Sequence, residues 1–136
     1  MYRFRIYPNK SQKELFAWTF GCVRFVYNRM LAEKIEYYEK TGKVLIKVTP
    51  AKYKAEFPWL KEVDSLALCN AQLHLQTAYK NFFRDSSVGF PKFKSRENPV
   101  RSYTTNCANG NITLQNLHNQ ANFRRARIRF RRHLSE

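Results

Sequence analysis

Acidic residues are the scarce class in this sequence: 10 Asp plus Glu stand against 25 Lys plus Arg, so 136 residues carry a formal charge of +15. That imbalance disfavours an ordinary metabolic enzyme and favours a polyanionic partner, either nucleic acid or an acidic membrane surface. Glycine is also scarce, and four residues are too few for a phosphate-cradling glycine-rich loop. The three cysteines, Cys22, Cys69 and Cys107, form no Cys-x-x-Cys pair, and His74, His118 and His133 fall at no zinc-ligand spacing from them. Reduced thiols in a cytoplasmic, nucleoid-associated protein are expected, with neither a metal nor a cofactor. No apolar run approaches the roughly 20 residues that cross a bilayer. The start, Met1-Tyr2-Arg3-Phe4-Arg5, lacks the apolar centre of a signal peptide.

What is abundant is aromatic: 11 Phe, 8 Tyr and 2 Trp, within a chain that is 43% hydrophobic. This suffices for one packed core and excludes wholesale disorder. The charge is unevenly placed. Residues 1–90 hold 15 basic and 8 acidic side chains, whereas residues 91–136 hold 10 and 2, the only acids there being Glu97 and Glu136.

Periodicity divides the chain into three regions. Residues 1–9 alternate Tyr2, Phe4 and Ile6 with Arg3, Arg5 and Tyr7, the period of a strand with one apolar face, and Pro8 ends it. Residues 10–88 read as helical. Ser11-Gln12-Lys13-Glu14 has the form of a capping box. Phe16, Phe20, Val23, Tyr27, Leu31, Ile35 and Tyr38 recur at steps of three and four until Gly42. Gly21 predicts a kink, or two helices meeting at a tight angle. Thr49-Pro50 predicts a short second helix, and Asp64 or Ser65 caps a third that carries Leu68, Ala71, Leu75, Ala78 and Phe82 on one face. Residues 89–136 hold a basic loop, turn signals at Asn98-Pro99 and Asn109-Gly110, and strand candidates at 102–106, 111–115 and 127–131. The expected fold class is α+β.

Catalytic constellations are thin. The acids stand on helix faces beside lysines, as in Glu33-Lys34, and offer no converging set for Mg²⁺; no histidine lies in a nucleophile motif. Candidates for phosphate binding are plentiful. Arg24 and Arg29, five apart, fall about 140° around a helix and make no single basic face, so Arg24 is either a phosphate contact or a stem packed over aromatics. Lys80 and Arg84 share a face beside Tyr79. In Gly89-Phe90-Pro91-Lys92-Phe93-Lys94-Ser95-Arg96, cations alternate with phenylalanines, and an extended chain would present Lys92, Lys94 and Arg96 on one side and bury Phe93 on the other. If the strand holding Arg3 and Arg5 paired near Arg127, Arg129 and Arg131, like charges would share one sheet face. Bound phosphate would relieve that repulsion; a merely solvated face is the competing reading.

Five ordered blocks carry a resemblance. Arg5-Ile6-Tyr7-Pro8, Gln12 with Leu15, Phe20 to Asn28, Trp59 to Ser65, and Ala78 to Arg84 followed by Gly89 to Lys94 together resemble the amino-terminal region of the TnpB (OrfB) proteins of bacterial insertion sequences, over roughly residues 2–105. The resemblance implies a family described first as transposases with a helix-turn-helix and then as RNA-guided DNA nucleases. It implies a recognition lobe of three or four helices inserted into a small wedge-like β-barrel. The poor match over residues 107–126 would leave that barrel incomplete or altered. It implies DNA and a guide-type RNA as partners. Tyr53, Ser65, Cys69 and Asn109 would lie near a surface reading a transposon-adjacent DNA motif, with Lys92, Lys94 and Arg96 on the nucleic-acid backbone. The RuvC-like nuclease domain, with its carboxylates and zinc cysteines, has no counterpart in these 136 residues, so a binding module without catalytic activity is expected. A ribosome-associated or other structural RNA-binding protein, and one part of a split nuclease completed by a separate chain, are the alternatives.

Overall fold

In the computed structural model, residues 6–108 are described, together with the backbone of two short strands at 112–115 and 127–130. A single helix, α1 (Lys10–Thr41), is followed by α2 (Pro50–Glu56), a 3₁₀ turn at Pro58–Glu62, α3 (Ser65–Arg84) and a second 3₁₀ turn at Ser86–Val88. The two strands, β1 (Ile112–Gln115) and β2 (Arg127–Phe130), pair antiparallel, with Ile112 opposite Phe130 and Gln115 opposite Arg127.

The α+β expectation with a β-barrel is therefore corrected: the described fold is helical, and its strands amount to one antiparallel pair. The physical reason is visible at residues 102–106. Period-two alternation marks an extended backbone, but a sheet also needs a partner edge. Here helix side chains take that place. The Tyr103 ring lies 6.4 Å from Phe16 and 5.4 Å from Phe20, the Thr105 hydroxyl donates to the Asp64 carboxylate, and Asn70 donates to Asn106 at 3.4 Å. At the other end of the chain, residues 6–9 have no regular structure, with Tyr7 76% exposed; the rest of that expected strand, including Arg3 and Arg5, lies outside the described residues. Among the described residues, the partner of β2 is β1.

Helix α1 runs unbroken through Gly21, against the expected kink. One glycine costs a helix about 1 kcal/mol. The flanking Thr19, Cys22, Val23, Val26, Tyr27, Met30 and Leu31 are all buried, and that burial outweighs it. The start also differs by two residues from the expected box. Asn9 is the cap, its side chain accepting from the Gln12 amide at 2.9 Å while the Gln12 side chain accepts from the Asn9 amide at 2.9 Å. Gly42, at φ 67°, ends the helix in the left-handed region that its missing Cβ permits.

The core forms where α1 crosses α3. Ala67 and Ala71 are fully buried small residues that let the helices approach, and Leu68 and Leu75 fill the space against Val26, Met30 and Leu31. Of the expected α1 stripe, Val23, Tyr27 and Leu31 are buried here, Phe16, Phe20 and Ile35 are half-buried and Tyr38 is exposed; Cys22, Val26 and Met30 join the core beside them. Asp64 caps α3 by accepting from the Leu66 amide at 2.9 Å. A second aromatic cluster joins α1 to the 3₁₀ turn, where Phe25 meets Phe57 and Trp59 at 4.9 Å each and Trp59 meets Trp18 at 5.8 Å.

Candidate nucleic-acid interface

The segment that follows Gly89 is extended and lies across α1 and the end of α3. Gly89 itself takes φ 85°, which redirects the chain out of the 3₁₀ turn. Phe90 then seats edge-on against Tyr79 and Phe82, at 5.5 and 5.4 Å, and Pro91 is buried. Three residues on, the Asn28 side chain pairs with the backbone of Lys94 on both sides: its amide nitrogen donates to the Lys94 carbonyl at 3.0 Å, and its oxygen accepts from the Lys94 amide at 2.8 Å. One helix side chain thus supplies the two hydrogen bonds that a neighbouring strand would give.

The Lys94 ammonium lies 4.4 Å from the centre of the Tyr27 ring. Lost solvation there lowers its pKa below the ordinary lysine value. Lys34 is held in a similar way, 5.4 Å over the Tyr79 ring with its ammonium donating to the Leu45 carbonyl, and burial lowers its pKa too. Lys92, Lys94 and Arg96 are exposed, as are Lys80 and Arg84 in the last turns of α3. None of these five cations makes an ion pair among the described residues. Phe93 is 56% exposed, so the expectation that the loop buries it is corrected. Pro91 is buried and Phe90, though 44% exposed, rests edge-on against two rings, so these two anchor the segment instead.

The remaining candidates separate. Ser65 begins α3, accepts from the Lys54 ammonium at 2.6 Å, and shares an exposed face with Cys69 one turn later. Tyr53 is a core residue, 1% exposed, with its hydroxyl donating to Glu33. Burial and that carboxylate push the Tyr53 pKa up. Desolvation raises Glu33, but hydrogen bonds from Lys52 and Tyr53 and the charges of Lys52 and Arg29 outweigh it, leaving its carboxyl below the usual value. Arg29 pairs with Glu56 at 3.6 Å, and Arg24 is half-buried on α1. Ser65 and Arg84 stand about 28 Å apart along α3, at a rise of about 1.5 Å per residue, so the expected motif surface and the basic loop occupy opposite ends of one helix. Asn109 lies outside the described residues; Arg127 and Arg129 belong to β2, opposite Gln115 and Thr113.

Asn28 was given no role on sequence grounds. Its signal was a poor helix former in the middle of a 32-residue helix, immediately beside the buried Tyr27. Among the described residues no group of three His, Cys, Asp or Glu side chains could hold a metal ion, and no helix is long and apolar enough to cross a membrane.

Residues 1–43 match a family described as a helix-turn-helix domain, although residues 10–41 here form one continuous helix. Two relatives bear the name "Putative RNA-guided DNA endonuclease". The one from Streptomyces pristinaespiralis is 34% identical over 128 residues, which take in 83% of this chain and 31% of the relative. The one from Escherichia coli, further designated InsQ, is 35% identical over 101 residues, or 70% of this chain and 25% of the relative. The virulence protein VsdF of Salmonella dublin is 35% identical over 108 residues, covering 67% of this chain and 88% of VsdF. The chain therefore spans about a third or less of the two endonuclease-named relatives and most of VsdF. The chain belongs to the TnpB (OrfB) family and corresponds to that family's amino-terminal region.

Proposed function

We propose that this chain is a nucleic-acid-gripping module that binds DNA and a guide-type RNA mainly through their phosphate backbones. The observation that carries this reading is the extended segment 89–96, whose Lys92, Lys94 and Arg96 are exposed and, among the described residues, without carboxylate partners, while its backbone is fixed by Asn28 and its aromatic anchor by Tyr79 and Phe82. A basic loop held in one shape is preorganised for a polyanion, since little of the ordering cost falls on binding. The names of the Streptomyces and Escherichia relatives support an RNA partner as well as DNA. The chain's share in reading a short DNA motif would fall to Ser65 and Cys69, whose exposed face adjoins Lys54. The reading assigns this chain binding and no cleavage.

Filter binding of DNA duplex and of structured RNA at rising salt tests the proposal. Neutralising several phosphates makes affinity fall steeply, by about three orders of magnitude or more between roughly 50 and 200 mM salt for six or more contacts. A flat response over that range contradicts the phosphate-gripping mechanism, and Mg²⁺-dependent nicking by the clean chain contradicts binding without cleavage.

A further inference from the structure

The end of α3 carries more aromatic surface than anchoring the loop requires. Phe90 is held by Tyr79 and Phe82, and these three rings suffice to seat the segment. The Phe83 ring meets Phe82 at 5.5 Å, with planes 57° apart. It lies nearly parallel to Tyr79, with ring centres 6.1 Å apart and planes 27° apart, and it is 64% exposed. Tyr79 is already occupied by Lys34, Phe90 and Phe83, so the free face at this end of the stack belongs to Phe83. Lys80, three residues before Phe83, shares its helix face, Arg84 next in sequence lies about 100° around the axis, and both cations are exposed. Asp85, the nearby acid, is turned to its own cap, accepting from the amide and hydroxyl of Ser87 at 3.0 and 2.6 Å.

An exposed flat ring flanked by cations, continuing a stack built on the protein side, is the arrangement with which proteins hold unpaired bases. A base in a duplex has both faces covered by its neighbours and cannot use it. We infer that Phe83 is a stacking platform for a base of single-stranded nucleic acid, whose flanking phosphates meet Lys80 and Arg84. This rests on the nucleic-acid reading above and sharpens it: the loop side of the module takes an unpaired strand.

The experiment uses the full chain and oligonucleotides bearing 2-aminopurine, as single-stranded RNA, as single-stranded DNA and as the matching DNA duplex. Binding and fluorescence quenching are measured for the wild type and for Phe83→Ala, Phe83→Trp and Lys80→Gln. The expected result is a loss of about tenfold in single-strand affinity for Phe83→Ala, with weaker quenching, an unchanged salt slope and unchanged duplex affinity. Phe83→Trp retains the affinity, and Lys80→Gln reduces the salt slope by about one unit. If Phe83→Ala binds single strands within about twofold of wild type, or loses single strands and duplex equally, the platform is overturned while phosphate gripping stands. If the wild type binds none of the three probes, both fall together. Phe83 is exposed, so loss of the fold does not confuse the reading, and circular dichroism of each variant checks it.

Discussion

Replacing Asn28 by alanine separates the loop from the scaffold that carries it. The change removes two hydrogen bonds to Lys94, at 3.0 and 2.8 Å. Each is worth about 0.5–1.5 kcal/mol net, so the docked loop loses about 1–3 kcal/mol relative to an opened one. Against this, alanine is the better helix former and returns up to about 0.7 kcal/mol to α1. Thermal unfolding sums both effects, so its midpoint should fall, by less than the local loss. Amide hydrogen exchange reads the loop directly, because the Lys94 amide is one of the two groups bonded to Asn28. A loss of 1–3 kcal/mol corresponds to about 5- to 150-fold faster exchange at Lys94, with the amides around Val26 and Leu68 unaffected. Nucleic-acid affinity should fall by part of that factor at an unchanged salt slope, since no cation is removed. Exchange at Lys94 within twofold of wild type would refute the reasoning and show that Phe90, Pro91 and the Lys94–Tyr27 contact hold the loop unaided.

Two further predictions concern the scaffold. Gly21 lies inside α1 with nothing within 4 Å of where a Cβ would stand. Gly21→Ala should stabilise the chain by about 1 kcal/mol in denaturant melts; a lower midpoint would contradict an unstrained site in a continuous helix. Glu33 has a folded pKa below its ordinary value, so its contribution is fully present above about pH 4.5 and is lost as pH falls through the lower folded value. The urea midpoint should therefore drop below that pH, and Glu33→Gln should flatten the drop; an identical acid limb in the variant would show that Lys52 and Tyr53 do not stabilise this carboxylate.

The helices and their ends were largely readable in the sequence because each rests on local chemistry. Gly42 stopped α1, Pro50 opened α2, and Asp64 capped α3, all through groups within a few residues. The start of α1 was misplaced because Ser11 and Asn9 both offer a capping oxygen, and only the observed Gln12 return bond decides between them. The sheet expectation failed where long-range partners decide: the alternation around Tyr103 found phenylalanines of α1 and a carboxylate of α3 in place of a strand. The basic loop could be read as extended and cationic from its spacing. Which of its phenylalanines is anchored depended on Tyr79 and Phe82 of α3, which no local pattern reveals. The bond from the Tyr53 hydroxyl to Glu33 likewise joins two helices and leaves no local signal.

The pins at Lys94 and Tyr103 also set the slack in the chain between them. Nine residue steps separate the two, a contour of about 30 Å when fully extended. Their anchors on α1, Asn28 at one end and Phe16 with Phe20 at the other, are eight to twelve residues apart, about 12–18 Å at helical rise. The strap is therefore roughly twice as long as the gap it crosses. Two local bonds take up that surplus, the Glu97 amide donating to the Ser95 hydroxyl at 3.1 Å and the Val100 amide to the Asn98 side chain at 2.9 Å, so Arg96 and Arg101 are carried on a looped-out stretch while both ends stay tied to the helices.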